Sequence, residues 1–189
     1  MIHIIQATPT FLSSKAEESA LWLFSLYTGA RSITATAVCL KDISFMENVL
    51  RFNLRVTKGN ANWNHSVQFV EDHTVHEDLN FFKWFRLLLL QKGLDLESFK
   101  ELGDRREEKL FHWNAGGARE IFADRAKSAG FPPGLFSYHS LRSGFLCSAL
   151  LKAGSQQERE AVLEHTAFVA GWKVGGTSQL LYVKEAFMK

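Results

Sequence analysis

Residues 49–70 limit what this chain can fold into more than any other stretch. Leu50, Phe52, Leu54 and Val56 alternate with Arg51, Asn53, Arg55 and Thr57. Side chains on a strand point to opposite faces with a period of two. The pattern is therefore a strand buried on one face and wet and basic on the other. Lys58, Gly59 and Asn60 supply turn residues, and "SVQFV" at 66–70 reads as the returning strand. Residues 49–70 are thus expected to form a hairpin with Lys58 at its tip.

The rest of the chain reads as helix. Residues 1–12 look like a loose or strand-like lead. "SKAE" at 14–17 has the S-x-x-E spacing of a capping box, and an apolar helix follows to about Thr28, where Gly29 breaks it. "RSITATAV" reads as a short second helix or a turn into one. "EDLNFFKWFRLLLLQKG" has acids first and a closing Gly93, and "GGAREIFADRAKSAG" ends at Gly130. "FPPG" is a connector, and helices are expected at about 139–153, 157–170 and 176–187. The fold class is mainly α with a small antiparallel β-sheet early in the chain.

Composition narrows the class further. With 189 residues, one domain is the expectation. A hydrophobic share of 46%, with sixteen Phe and five Trp, supplies an aromatic core. The formal charge of +2 permits a nucleic-acid partner without requiring one. Cys39 and Cys147 sit in apolar surroundings and read as buried free thiols of a reducing compartment. No basic stretch followed by an apolar core opens the chain, and "FRLLLLQKG" is too short to span a bilayer. These features predict a soluble intracellular protein that does not engage membranes.

"YHSLRSGF" places His139 and Arg142 three residues apart, on one face at the start of an apolar helix. Alone, each polar residue has a plain structural reading. Arg31 would be a surface arginine beyond a helix end, Lys58 a solubilising turn residue, and His139 and Arg142 helix-end groups satisfied by neighbours. Trp172 would be a core aromatic and Tyr182 one more residue of an amphipathic helix. "HTVHE" at 73–77 has two histidines at i and i+3, but no third metal ligand is evident nearby, so it reads as a polar loop. "KVGGTS" lacks the spacing of a phosphate-binding loop and is read as the turn before the Tyr182 helix. "FFKWFRLLLL" is expected to be a core helix with snorkelling Lys83 and Arg86.

Their order and context change that reading. Arg31 lies in "YTGARSITATAVCLKDI", Lys58 in "LRVTKGN", His139-x-x-Arg142 in "YHSLRSGFLCSAL", and Trp172 and Tyr182 in "AGWKVGGTSQLLYVK". In this order and on these elements, the chain resembles the catalytic domain of the tyrosine recombinases, the phage-type integrases and site-specific DNA recombinases. The resemblance implies that domain's fold over residues 1–189. It also implies metal-free strand cleavage and rejoining through a 3′-phosphotyrosine, with no nucleotide or other cofactor. Double-stranded DNA would be the partner, with self-association into a tetrameric synapse.

The residue types suit the chemistry. Arginine stays protonated and its planar fork bonds two phosphate oxygens, so Arg31 and Arg142 take the non-bridging oxygens. The resemblance makes Tyr182 the nucleophile and gives Lys58 the task of protonating the leaving 5′ oxygen. His139 accepts or positions a proton. Trp172 stands where the family has His or Trp, and its indole N–H can donate to a phosphate oxygen.

The sequence also departs from the family. Thr34 stands where an acidic residue usually supports the site from behind, and a hydroxyl cannot supply its charge. "KAGSQQERE" reads as an inserted polar loop between two helices. The N-terminal clamp domain of most relatives is not expected before residue 12. These departures keep other readings open: a DNA-binding module that no longer cleaves, a type IB topoisomerase-like relaxing enzyme, and a helical protein-interaction domain.

Overall fold

The structure is a computed structural model that describes residues 1–8, 12–55 and 64–170. Its centre is a helix that is buried even at several polar positions. Leu12–Thr28 (α2) buries Ala16, Ala20, Leu21, Trp22, Leu23 and Phe24, and even Ser19 and Ser25 lie inside. A helix buried at every position over residues 16–25 must be covered on most sides. The sheet, Phe81–Gln91 (α4) and Tyr138–Lys152 (α6) pack against it. Ahead of it, Ile2–Ala7 (α1) buries Ile4 and Ile5. As far as the described residues 1–8 reach, the lead is therefore not loose or strand-like: two adjacent isoleucines in a one-and-a-half-turn helix give it a buried side.

The alternation at 49–57 folds as expected as far as the described residues reach. Val49–Arg55 (β2) buries Leu50, Phe52 and Leu54 and exposes Arg51, Asn53 and Arg55. Asn64–Val70 (β3) pairs with it antiparallel, placing Phe52 opposite Val67 and Leu54 opposite His65. The expected hairpin tip, with Lys58, lies outside the described residues. A third strand, Ile43–Met46 (β1), completes the sheet in the order β1-β2-β3. Glu47 and Asn48 join β1 to β2 with φ of 50° and 63°. Two left-handed residues form the turn whose twist matches paired strands, and Asn tolerates that conformation well.

The inner sheet face meets α2 and α4 through rings. Phe24 lies 4.9 Å from Phe52, and Phe69 lies 4.4 Å from Phe81, centroid to centroid. Emptying such a site, as in Phe52→Ala, typically costs ~3–5 kcal/mol. α4 is the expected core helix: Lys83 reaches Glu77 and Arg86 reaches Glu71 outside it. Asn80 caps α4 by accepting from the Lys83 N–H. His76 of the "HTVHE" segment accepts from the Asp78 N–H in a turn before α4.

The last three helices bring the polar residues round to the start of the chain. Ser32–Ala35 (α3) follows α2 after three residues. Ala115–Ser128 (α5) is capped by the Asn114 side chain, which accepts from the Gly116 and Gly117 N–H groups. It buries Ala118, Phe122 and Ala126 at four-residue spacing. α6 begins at Ser137, whose N–H donates to the Ser140 hydroxyl. Gln156–Ala170 (α7) follows after only three residues. The stretch "KAGSQQERE" is therefore not an inserted loop. Ser155 accepts from the Glu158 N–H, while Glu158 accepts from the N–H groups of Gly154 and Ser155. That reciprocal capping box starts α7 at once. The other S-x-x-E, Ser14 to Glu17, lies inside a helix rather than at its start, because α2 already begins at Leu12.

Both cysteines are free, and both are half-buried rather than buried. Among the described residues no helix is long and apolar enough to cross a membrane. Nor is any group of three or more His, Cys, Asp or Glu among them placed to hold a metal ion.

Candidate active site

α2 ends at Thr28, and the chain must turn sharply to start α3. Gly29 makes the turn with φ of 62°. A Cβ there would lie 2.7 Å from the Phe145 ring and 3.0 Å from the Ala170 Cβ. Both the backbone conformation and the close approach of α6 and α7 require glycine. Two residues on, Arg31 is the N-cap of α3 and half-exposed.

Arg142 arrives from α6 and is among the largest fully enclosed side chains, with 1% of its surface exposed. Its Nη1 donates to the Gly29 carbonyl and its Nη2 to the Ala170 carbonyl at 3.1 Å. One guanidinium thus ties the end of α2 to the end of α7. It also fixes the turn that carries Arg31. Burial, and after it the charge of Arg31, pulls the Arg142 guanidinium down to about 9. It remains protonated at neutral pH, so two like charges are held close together in a half-enclosed place.

That place is a cavity of about 510 Å³, lined by Arg31, Ser32, Ile33, Ala115, Arg119, Tyr138, His139 and Arg142. Three arginines and a histidine line it, and no carboxylate is among its described lining residues. The structure therefore brings Arg31, His139 and Arg142 together from α3 and α6. His139 is exposed at the cavity mouth while Arg142, one turn later, is buried. Lys58, Trp172 and Tyr182 lie outside the described residues. Thr34 is buried but does not line the cavity, and no hydrogen bond from its hydroxyl to Arg31 or His139 is seen among the described residues. Arg119 on α5 was not singled out by the sequence. Its one local signal is the lack of an acid at three or four residues to either side, where Ala115, Gly116, Phe122 and Ala123 stand.

The chain has three tyrosines. Tyr138 lines the cavity, yet its hydroxyl is hydrogen-bonded to Ser25 at 2.6 Å, and burial pushes the phenol well above its usual range. Tyr27 donates to the Leu79 carbonyl at 2.7 Å, and burial together with Asp72 raises it too. Both phenols are poor nucleophiles, because reaching the phenolate is harder for each than in water.

No protein-family model matches the sequence, and no curated protein matches it either. Solved structures do match in three dimensions. The fold is that of the tyrosine recombinase catalytic domain. The chain is similar to the XerH site-specific recombinase in its post-cleavage complex with a palindromic difH substrate, with a TM-score of 0.65 and 16% identity. It is similar also to XerH in a pre-cleavage complex with difH, with a TM-score of 0.64 and 17% identity. The alignments cover 99% and 96% of this chain and 47% of each recombinase chain. The chain thus spans about half the length of the recombinase chains it matches.

Proposed function

We propose that this chain is the catalytic domain of a site-specific DNA recombinase or integrase, a strand transferase acting through a 3′-phosphotyrosine. The observation that carries this reading is the cavity in which Arg31, His139 and Arg142 converge, with no carboxylate among its described lining residues. Such a site suits an anion whose charge grows in the transition state. The similar recombinase structures hold DNA substrates, and double-stranded DNA is the partner proposed here, with assembly into a tetramer on paired sites.

In this reading the Tyr182 Oη attacks a DNA phosphorus. An O–P bond to tyrosine forms and the bond to the 5′ oxygen breaks. His139 takes the phenol proton, and Lys58 gives a proton to the leaving 5′ oxygen. Arg31 and Arg142 hold the non-bridging oxygens, and the Trp172 indole adds a donor. The new phosphodiester keeps the bond energy, so a 5′-hydroxyl from a partner strand can reverse the step. Two independent facts support Tyr182 as nucleophile. Its position fits the resemblance, and the other two tyrosines are committed to Ser25 and Leu79.

One observation favours a second reading. Thr34 is buried without addressing Arg31 or His139, so the acid that usually supports such a site has no evident substitute among the described residues. A DNA-binding module that keeps the fold but does not cleave would look like this. A suicide-substrate assay separates the two. Nicked duplex DNA is incubated with wild type and Tyr182→Phe and run on denaturing gels. A covalent band for wild type alone supports the recombinase. No band on DNA that the protein binds favours the non-cleaving module. Relaxation of supercoiled plasmid without site preference would point to a topoisomerase-like enzyme instead.

A further inference from the structure

We propose that Arg119 is a third phosphate-binding guanidinium of this site. The assignment rests on the recombinase reading for the identity of its ligand, DNA phosphate, but not for the presence of an anion site. Arg119 lies in the second turn of α5, with Ala115 one turn before it, and both line the cavity. Residues four apart share a helix face, so this face of α5 is turned to the cavity while Ala118, Phe122 and Ala126 are turned to the core. Ala115 leaves room beside the arginine.

The charge pattern is what needs explaining. On the same helix Arg125 is neutralised by Glu18, with Nε and Nη2 donating at 3.0 and 3.2 Å. Arg86 and Arg105 pair with Glu71 and Glu108 in the same way. Arg119 makes no ion pair among the described residues, and neither does Arg31. Arg142 donates to neutral carbonyls. Three guanidinium groups therefore share one cavity, with no carboxylate among its described lining residues. Like charges so placed repel one another, and a bound anion turns that repulsion into attraction. A volume of about 510 Å³ admits a phosphodiester with part of its sugar. A planar fork from α5 would meet such a group from a side that neither α3 nor α6 reaches.

The test uses the full chain with two probes, inorganic phosphate and duplex DNA. Wild type, Arg119→Ala, Arg119→Lys and Lys127→Ala are compared. Lys127 is exposed on the same helix and outside the cavity. Arg119 is exposed, so its truncation should leave the thermal midpoint of the unliganded chain unchanged. Phosphate affinity by titration calorimetry should fall roughly tenfold in Arg119→Ala. It should recover in part in Arg119→Lys and stay at the wild-type value in Lys127→Ala. With DNA, the slope of log K against log salt should shrink by about one in Arg119→Ala. Identical phosphate affinity and identical salt slope in wild type and Arg119→Ala would overturn the inference. Loss of phosphate affinity in a protein whose wild type ignores duplex DNA would uphold the anion site while sinking the DNA reading.

Discussion

Two arginines approach the same central helix and are treated in opposite ways. At the α2–α5 contact, Arg125 meets Glu18, which is 1% exposed, and the pair is closed by two hydrogen bonds. At the α2–α6 contact, Arg142 is enclosed as completely, yet it meets two backbone carbonyls and stands near Arg31. The first arrangement cancels its charge inside the protein. The second lines a cavity together with Arg31 and Arg119. Gathering like charges at one half-enclosed place costs folding energy, so a cluster of arginines around one cavity is a candidate anion site.

The largest expected effect breaks the cancelled pair. Arg125→Ala strands a carboxylate that is 1% exposed, and loss of one partner from such a pair typically costs ~3–5 kcal/mol. Urea unfolding measures it. Glu18→Gln combined with Arg125→Met should regain most of the loss, because an apolar replacement of both partners is close to neutral. A loss for Arg125→Ala below ~1 kcal/mol would mean that the pair is as weak as a surface bridge, and the contrast with Arg142 would fail.

Sequence reasoning read one side of this contrast and not the other. The spacing of His139 and Arg142 and the context of Arg31 pointed to the site, because a helix period and a Gly-containing turn are local facts. The sheet face was equally local: alternation at 50–55 decides it. Arg119 was hidden because its meaning depends on α5 lying beside α3 and α6, which no local pattern records. The two S-x-x-E stretches show the same limit. Ser155 to Glu158 begins a helix and Ser14 to Glu17 lies inside one, where Glu17 is taken instead by the His112 N–H, 95 residues away. Burial of Ile4 and Ile5 likewise orders a helix where a loose lead was expected. β1 was missed because its signal is a turn, Glu47–Asn48, rather than a run of alternating residues.

Next in size is Arg142. Arg142→Lys keeps the charge but replaces a fork by a point donor, which cannot hold the Gly29 and Ala170 carbonyls and face a phosphate together. Covalent adduct formation on a nicked substrate should slow by roughly 100 to 1,000-fold, the usual cost of one preorganised donor. Global stability should fall by less than in Arg125→Ala, because no carboxylate is left behind. An adduct rate within a few-fold of wild type would show that charge alone suffices. The fork geometry drawn from Gly29 and Ala170 would then carry no catalytic weight.

The smallest effect concerns a third way to bury a base, which is to remove its charge. His65 faces inward opposite Leu54 on β3 with 8% of its surface exposed, and burial lowers its pKa from the ordinary 6.5. The unfolded chain therefore binds this proton more readily than the folded chain does. The contribution to stability is whole above pH 6.5 and is lost as pH falls from 6.5 through the lower folded value. Urea midpoints taken from pH 7.5 to 5 should decline in wild type more steeply than in His65→Leu, whose side chain does not titrate. Parallel curves would mean that His65 takes up its proton as easily inside as outside. The sheet would then tolerate a charge on its buried face, and the gathering of arginines around one cavity would lose its value as a sign of a ligand.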